Sequence, residues 1–194
     1  MTEWSGEALR RAALAALGEH ADERARDALA HASVTVLHAG GWDGSAGPVE
    51  AHGVTLGLDA RTLGGLRSAP AVIDALCAAA ATAIATRPGE ALLHLHLRWV
   101  PGARPSSAGY RDAPPAHGES LHGALVDYLD GGGQHALGRL LDGASLDEPG
   151  PGQLTIRLAT AAEEASRTHP RLVAAVTSAA QDLLGDASIR VRVR

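Results

Sequence analysis

The sharpest pattern in the chain is the alternation over residues 91–100, ALLHLHLRWV. Leu93, Leu95, Leu97 and Trp99 point one way, and His94, His96 and Arg98 point the other. A period of two predicts a strand with one covered and one open face. Residues 53–59 (GVTLGLD) alternate in the same way, with Val54, Leu56 and Leu58 on the apolar side. Residues 33–38 (SVTVLH) are β-branched and alternating, which predicts a third strand. Helical spacing runs over residues 7–32, broken near Gly18, through Leu9, Ala13, Ala16 and Leu17 and then Ala25 and Leu29. A further helix starts near Pro70, where a first-turn proline is tolerated, and stops before Pro88-Gly89. Its apolar face reads Ile73, Leu76, Cys77, Ala80 and Ile84.

The second half echoes the first. Helices are expected over residues 120–129 and 134–141, then a strand over 153–159, a helix over 170–184 and a last strand over 188–194. Setting residue n against n+100 aligns Val54, Leu56 and Leu58 with Leu154, Ile156 and Leu158, and Pro70 with Pro170. Val72, Leu76 and Ile84 then meet Leu172, Val176 and Leu184. After a short insertion, Leu93, Leu95 and Leu97 meet Ile189, Val191 and Val193. The fold class is therefore α/β, with α+β as the variant, built from duplicated strand–helix–strand units around one sheet or two small ones. An α-β-β-α-β unit spans 1–100 and a Pro-rich loop 101–118, with a shorter α-β-α-β unit over 119–194 packed against the first. LDEPGPG is too poor a strand to complete the second unit.

In element order alone, the first unit resembles the alkaline-shock general-stress envelope proteins and, more distantly, a KH-like arrangement. The connections 60–69 and 160–169 are longer than the former implies, and no GxxG joins two helices as the latter requires.

Composition changes this picture in a few places. The chain has no Lys, Asn or Phe, and all 17 basic side chains are Arg, which reads as GC-rich coding and not as phosphate recognition. With three Trp and two Tyr, the core has to be filled by Leu, Val, Ile and Ala, so helices should sit close on the sheet. A net charge of −5 argues against a dedicated nucleic-acid binder. No run reaches the ~18–20 apolar residues of a membrane helix, and MTEWSGEALRR lacks a secretory pattern. A soluble, cytoplasmic protein is the expectation. The single cysteine excludes a disulfide framework, and Cys77 is expected to be buried and inert.

Few residues point to chemistry. His94 and His96 share one strand face and can supply two metal ligands, with His38, His117 or Glu119 as a third. Arg98, Tyr110, Arg111 and Asp112 around the long loop, with His117 at its end, can clamp an anionic ligand. His117, Glu119 and His122 (HGESLH) lack the HExxH spacing. Asp59 ends a strand, a common place for an acid in α/β sites. Arg190, Arg192 and Arg194, with Arg157, form a basic stripe that can meet nucleic acid but carries no interleaved aromatics. No nucleophile elbow, P-loop or cofactor loop is present, and no cofactor is implied. The expected function is non-enzymatic binding or assembly, with homo-oligomers among the partners. The alternatives are a small metal-dependent or His-based hydrolase using the His94/His96 face, and a nucleic-acid module using the Arg-rich face.

Overall fold

The computed structural model describes residues 5–18, 21–44, 47–84, 91–103, 120–158 and 162–193. They form two units: the first holds Met1–Leu58 and Ala69–Ala113, the second Asp59–Ser68 and Pro114–Arg194. Each contains its own three-stranded mixed sheet. The α/β class expected from the alternation is what the chain adopts.

In the first unit, α1 (Gly6–Leu17) and α2 (Glu23–His31) precede β1 (Ser33–Gly44) and β2 (Gly47–Leu58). After the segment that belongs to the second unit come α4 (Pro70–Ile84) and β3 (Ala91–Trp99). That intervening segment holds α3 (Ala60–Arg67). Strands β1 and β2 pair antiparallel and β2 and β3 parallel, in the order β1-β2-β3. Residues 40–44 and 47–53, rich in Gly, Pro and Asp and so readable as loop, instead belong to the outer part of the paired strands β1 and β2. Ser5 and Asp22 cap α1 and α2, their side chains accepting from Ala8 and Arg24 backbone N–H groups. Helices cover one face of the sheet: Val54, Leu56 and Leu58 are buried, as are Leu9, Ala13, Leu29, Val72, Leu76 and Ile84.

The second unit repeats this order. Helices α5 (Leu121–Gly131) and α6 (His135–Asp142) lead into β4 (Ser145–Gly150), β5 (Gln153–Arg157), α7 (Ala162–Leu184) and β6 (Arg190–Val193). Strand β4 pairs antiparallel with β5, and β5 parallel with β6. The segment dismissed from sequence as a poor strand is thus β4, the counterpart of β1. The registers match across the units: Val54 faces Leu95 and Leu56 faces Leu97, as Leu154 faces Val191 and Ile156 faces Val193. Residues 70–81 and 170–181 show the same sequence of exposed, intermediate and buried positions, residue for residue. Leu76 and Val176 both lie in the core.

Residues 59–68 depart from the expected Gly-containing connection. They form α3, capped by Asp59, whose Oδ1 accepts from the Thr62 N–H at 3.0 Å. The helix packs antiparallel on α5 at backbone contact. A Cβ on Gly64 would collide with the Tyr128 carbonyl, and one on Gly131 with the Arg61 carbonyl. In the second unit the described part of the equivalent stretch, from 162 on, already belongs to α7, with Pro170 inside the helix.

Cys77 is only half-buried. The buried line of α4 runs through Val72, Leu76, Ala79, Ala80 and Ile84, which puts Ile73 and Cys77 on its flank. Among the described residues, no single helix is long and apolar enough to cross a membrane.

Candidate functional site

Helices cover one face of each sheet, and alternation turns the other residues of every strand to the opposite face. In the first unit, that face carries Thr35 and Leu37 from β1, Gly53 and Thr55 from β2, and His94 and His96 from β3. Leu37 is 62% exposed there. The rings of His94 and His96 stack with centroids 6.3 Å apart and planes 21° from parallel. Arg98 continues the row and is exposed.

Most members of the expected metal and loop sites fall outside the described residues, so only His94, His96 and Arg98 of those sets can be placed on this face. Among the described residues, no group of three His, Cys, Asp or Glu side chains is placed to hold a metal ion. Tyr110, Arg111, Asp112, His117, Glu119 and the His38 side chain lie outside the described residues. Other polar residues have structural partners. The Nε2 of His122 donates to the Leu141 carbonyl at 2.8 Å, tying α5 to α6, and Ser120 caps α5 through the Gly123 N–H. Asp59 stands directly after the end of β2, where its carboxylate caps α3.

In the second unit, the open face holds Asp147 from β4, Gln153, Thr155 and Arg157 from β5, and Arg190 and Arg192 from β6. Thr155 lies between its cross-strand neighbours Asp147 and Arg192 and is 8% exposed. Arg157 Nε meets Asp147 Oδ2 at 2.7 Å. Nη1 of Arg190 donates to the carbonyls of Ala187, Ser188 and Ile189 at 3.0–3.2 Å. Arg192 makes no hydrogen bond or ion pair among the described residues. The side chains line an open surface groove of about 250 Å³. Arg194 lies outside the described residues.

Three arrangements escaped sequence reading. Arg61 Nη2 donates to Asp127 Oδ1 at 2.7 Å, with both side chains buried between α3 and α5. Arg67 grips Asp182 with two hydrogen bonds, at 2.9 and 2.7 Å, and Tyr128 Oη donates to the same carboxylate at 2.8 Å. Burial first, and then that hydrogen bond, push the Tyr128 phenol well above its usual pKa. His52 sits on the helix-facing side of β2 at 8% exposure. Partners distant in sequence make the Arg61–Asp127 and Arg67–Asp182–Tyr128 sites, so spacing carried no signal of them.

The fold and open faces define an α/β protein with a repeated helix–helix–strand–strand–helix–strand unit. The family model of the PBS lyase HEAT-like repeat matches residues 9–35, a span that includes most of α1, all of α2 and the first residues of β1. In a solenoid such a helix pair stacks on its neighbours. Here it packs against α4 and β1, so the likeness covers a helical hairpin and not the architecture. No curated protein matches the chain, and no solved structure does.

Proposed function

We propose that this is a non-enzymatic binding and assembly protein, and that it assembles by pairing strand β3 with β3 of a second copy. The observation that carries this reading is the state of β3. It is nine residues long and forms an edge of its sheet. Its inward row, Leu93, Leu95, Leu97 and Trp99, is only part-buried. A long edge of this kind is a template for another strand unless charge, proline or a bulge blunts it. Arg98 is the one charged side chain in β3, and the strand has no proline.

A twofold pair of identical strands is necessarily antiparallel. Centred on Leu95, the pair sets Leu93 against Leu97 and His94 against His96, and keeps the two Arg98 side chains apart. Completing the apolar row is the driving force, and the open backbone groups of the edge supply the ladder.

Sedimentation equilibrium of the full chain tests the proposal. The wild type should be a dimer, and His94→Lys/His96→Lys should be a folded monomer, because it sets like charges against one another across the ladder. Both residues are exposed, so the double variant should still melt cooperatively, with its midpoint lowered only by the lost dimer and no longer dependent on protein concentration. A monomeric wild type, or a double variant that still dimerises, would overturn the assignment.

A further inference from the structure

We infer that the open face of the second sheet is a binding site for a small phosphate-bearing anion, held by Arg190 and Arg192 over the Thr155 hydroxyl. The inference stands apart from assembly through β3, since it concerns strands β4, β5 and β6.

Register gathers the donors. Gln153 lies opposite Arg190 and Thr155 opposite Arg192, so two guanidinium groups, an amide and a hydroxyl face the same groove. Charge is in excess at this point. Among the described lining residues the one carboxylate, Asp147, is ion-paired with Arg157 at 2.7 Å. This leaves the charge of Arg192 uncompensated within the lining, while Asp186 faces Arg190 from outside it. Arg190 is partly pre-ordered, because its three hydrogen bonds to Ala187, Ser188 and Ile189 all use Nη1. Among the described residues its Nη2 and Nε make no hydrogen bond and are open to a ligand. Arg192 makes no hydrogen bond or ion pair among the described residues, so an anion need not displace a partner from it.

The chemistry and the size select the ligand class. Two Arg forks with hydroxyl and amide donors offer more hydrogen bonds than a carboxylate's two oxygens accept, and match the oxygens of a phosphoryl group. A volume of about 250 Å³ falls just below the ~300–1,000 Å³ of sites for larger ligands. It suits inorganic phosphate or a short phosphate monoester. The lining holds no aromatic side chain, so an oligonucleotide would find no stacking platform. The first unit supplies a natural contrast. At the positions of Gln153, Arg190 and Arg192 it has Gly53, His94 and His96.

Isothermal titration of the full chain with inorganic phosphate and with glycerol phosphate, at low salt, tests the site and separates the two sources. Both should saturate, more weakly as salt is added, and tighter glycerol phosphate binding would identify a monoester site. Arg192→Gln should weaken binding by at least roughly tenfold, since a hydrogen bond to a charged group is lost. Thr155→Val should weaken it less, and Arg98→Gln in the first unit should leave it unchanged. Absence of saturation at millimolar anion would overturn the inference. So would equal losses in Arg98→Gln and Arg192→Gln, or an oligonucleotide that binds more tightly than the monoester.

Discussion

Arg61 and Asp127, 66 positions apart, meet at 2.7 Å with each side chain only 6% exposed. The pair joins α3 to α5, so a segment lying between the first unit's strand β2 and helix α4 is anchored in the core of the second. Desolvating two charges is costly, and their attraction offsets that only while both are present. Arg61→Met should therefore lower unfolding stability by about 3–5 kcal/mol by leaving Asp127 buried without its cation. Arg61→Met/Asp127→Leu should recover much of the loss. Urea unfolding of the wild type, Arg61→Met, Asp127→Leu and the double variant measures these effects, and non-additivity in the double variant is the diagnostic.

The same helix pair sets a second expectation. Gly64 and Gly131 let the backbones of α3 and α5 touch, and each would drive a methyl group into the opposing carbonyl. Neither neighbour is a side chain that can swing away. Gly64→Ala or Gly131→Ala should cost about 1–3 kcal/mol or more, in the manner of an overpacked core. Gly143→Ala is the control. Its Cβ would meet nothing closer than 3.8 Å, and the change in thermal stability should stay within about 0.5 kcal/mol.

Tyr128 predicts an alkaline limb. Its phenol donates to Asp182, and burial with that bond raises its pKa in the folded chain. Below a pH of about 10, the ordinary tyrosine value, folded and unfolded chains both keep the proton and the contribution is intact. Above it the unfolded chain releases the proton first, so stability falls as pH rises. Tyr128→Phe should be less stable near neutrality and show a shallower decline above that point. Denaturant midpoints across the alkaline range would report the difference, and an unchanged slope would refute it.

What the sequence disclosed was the part written in local periodicity. The alternation of β2 and β3 and the face of α4 are properties of neighbouring residues, and the n+100 match carried the helix register to Leu76 and Val176. The misses have a common physical cause. Strand β4 contains Asp147, Glu148 and Pro149 and buries none of its residues fully, so apolar alternation had nothing to mark. Helix α3 contains Gly64-Gly65, which propensity reads as a break, whereas the close approach to Tyr128 requires a glycine at 64. Cys77 was placed in the core because the apolar arc of an Ala-rich helix is wider than the arc it buries. On the candidate sites, spacing put His94 beside His96 and Arg190 beside Arg192. It did not disclose that Arg157 is taken up by Asp147, which depends on strand pairing.

The last expectation concerns β6, whose alternation separates a structural row from a binding row. Ile189 and Val191 are 2% and 8% exposed, while Arg190 and Arg192 are exposed. The strand pairs parallel with β5, and α7 packs on it. Burying each of those two apolar side chains contributes roughly 1.5–3 kcal/mol, and losing the strand would also strip β5 of its partner. Domains of this size have total stabilities of about 5–15 kcal/mol, so such a loss is a large share. Truncation after Asp186 should abolish soluble expression or remove cooperative melting. Arg192→Gln should leave the melting temperature within a few degrees of wild type, since a surface change of about 0.5 kcal/mol moves it little. That contrast separates a tail that builds the sheet from a basic arm that merely extends from it. A truncated chain that melts cooperatively near the full-length temperature would show that the core of the second unit closes without β6.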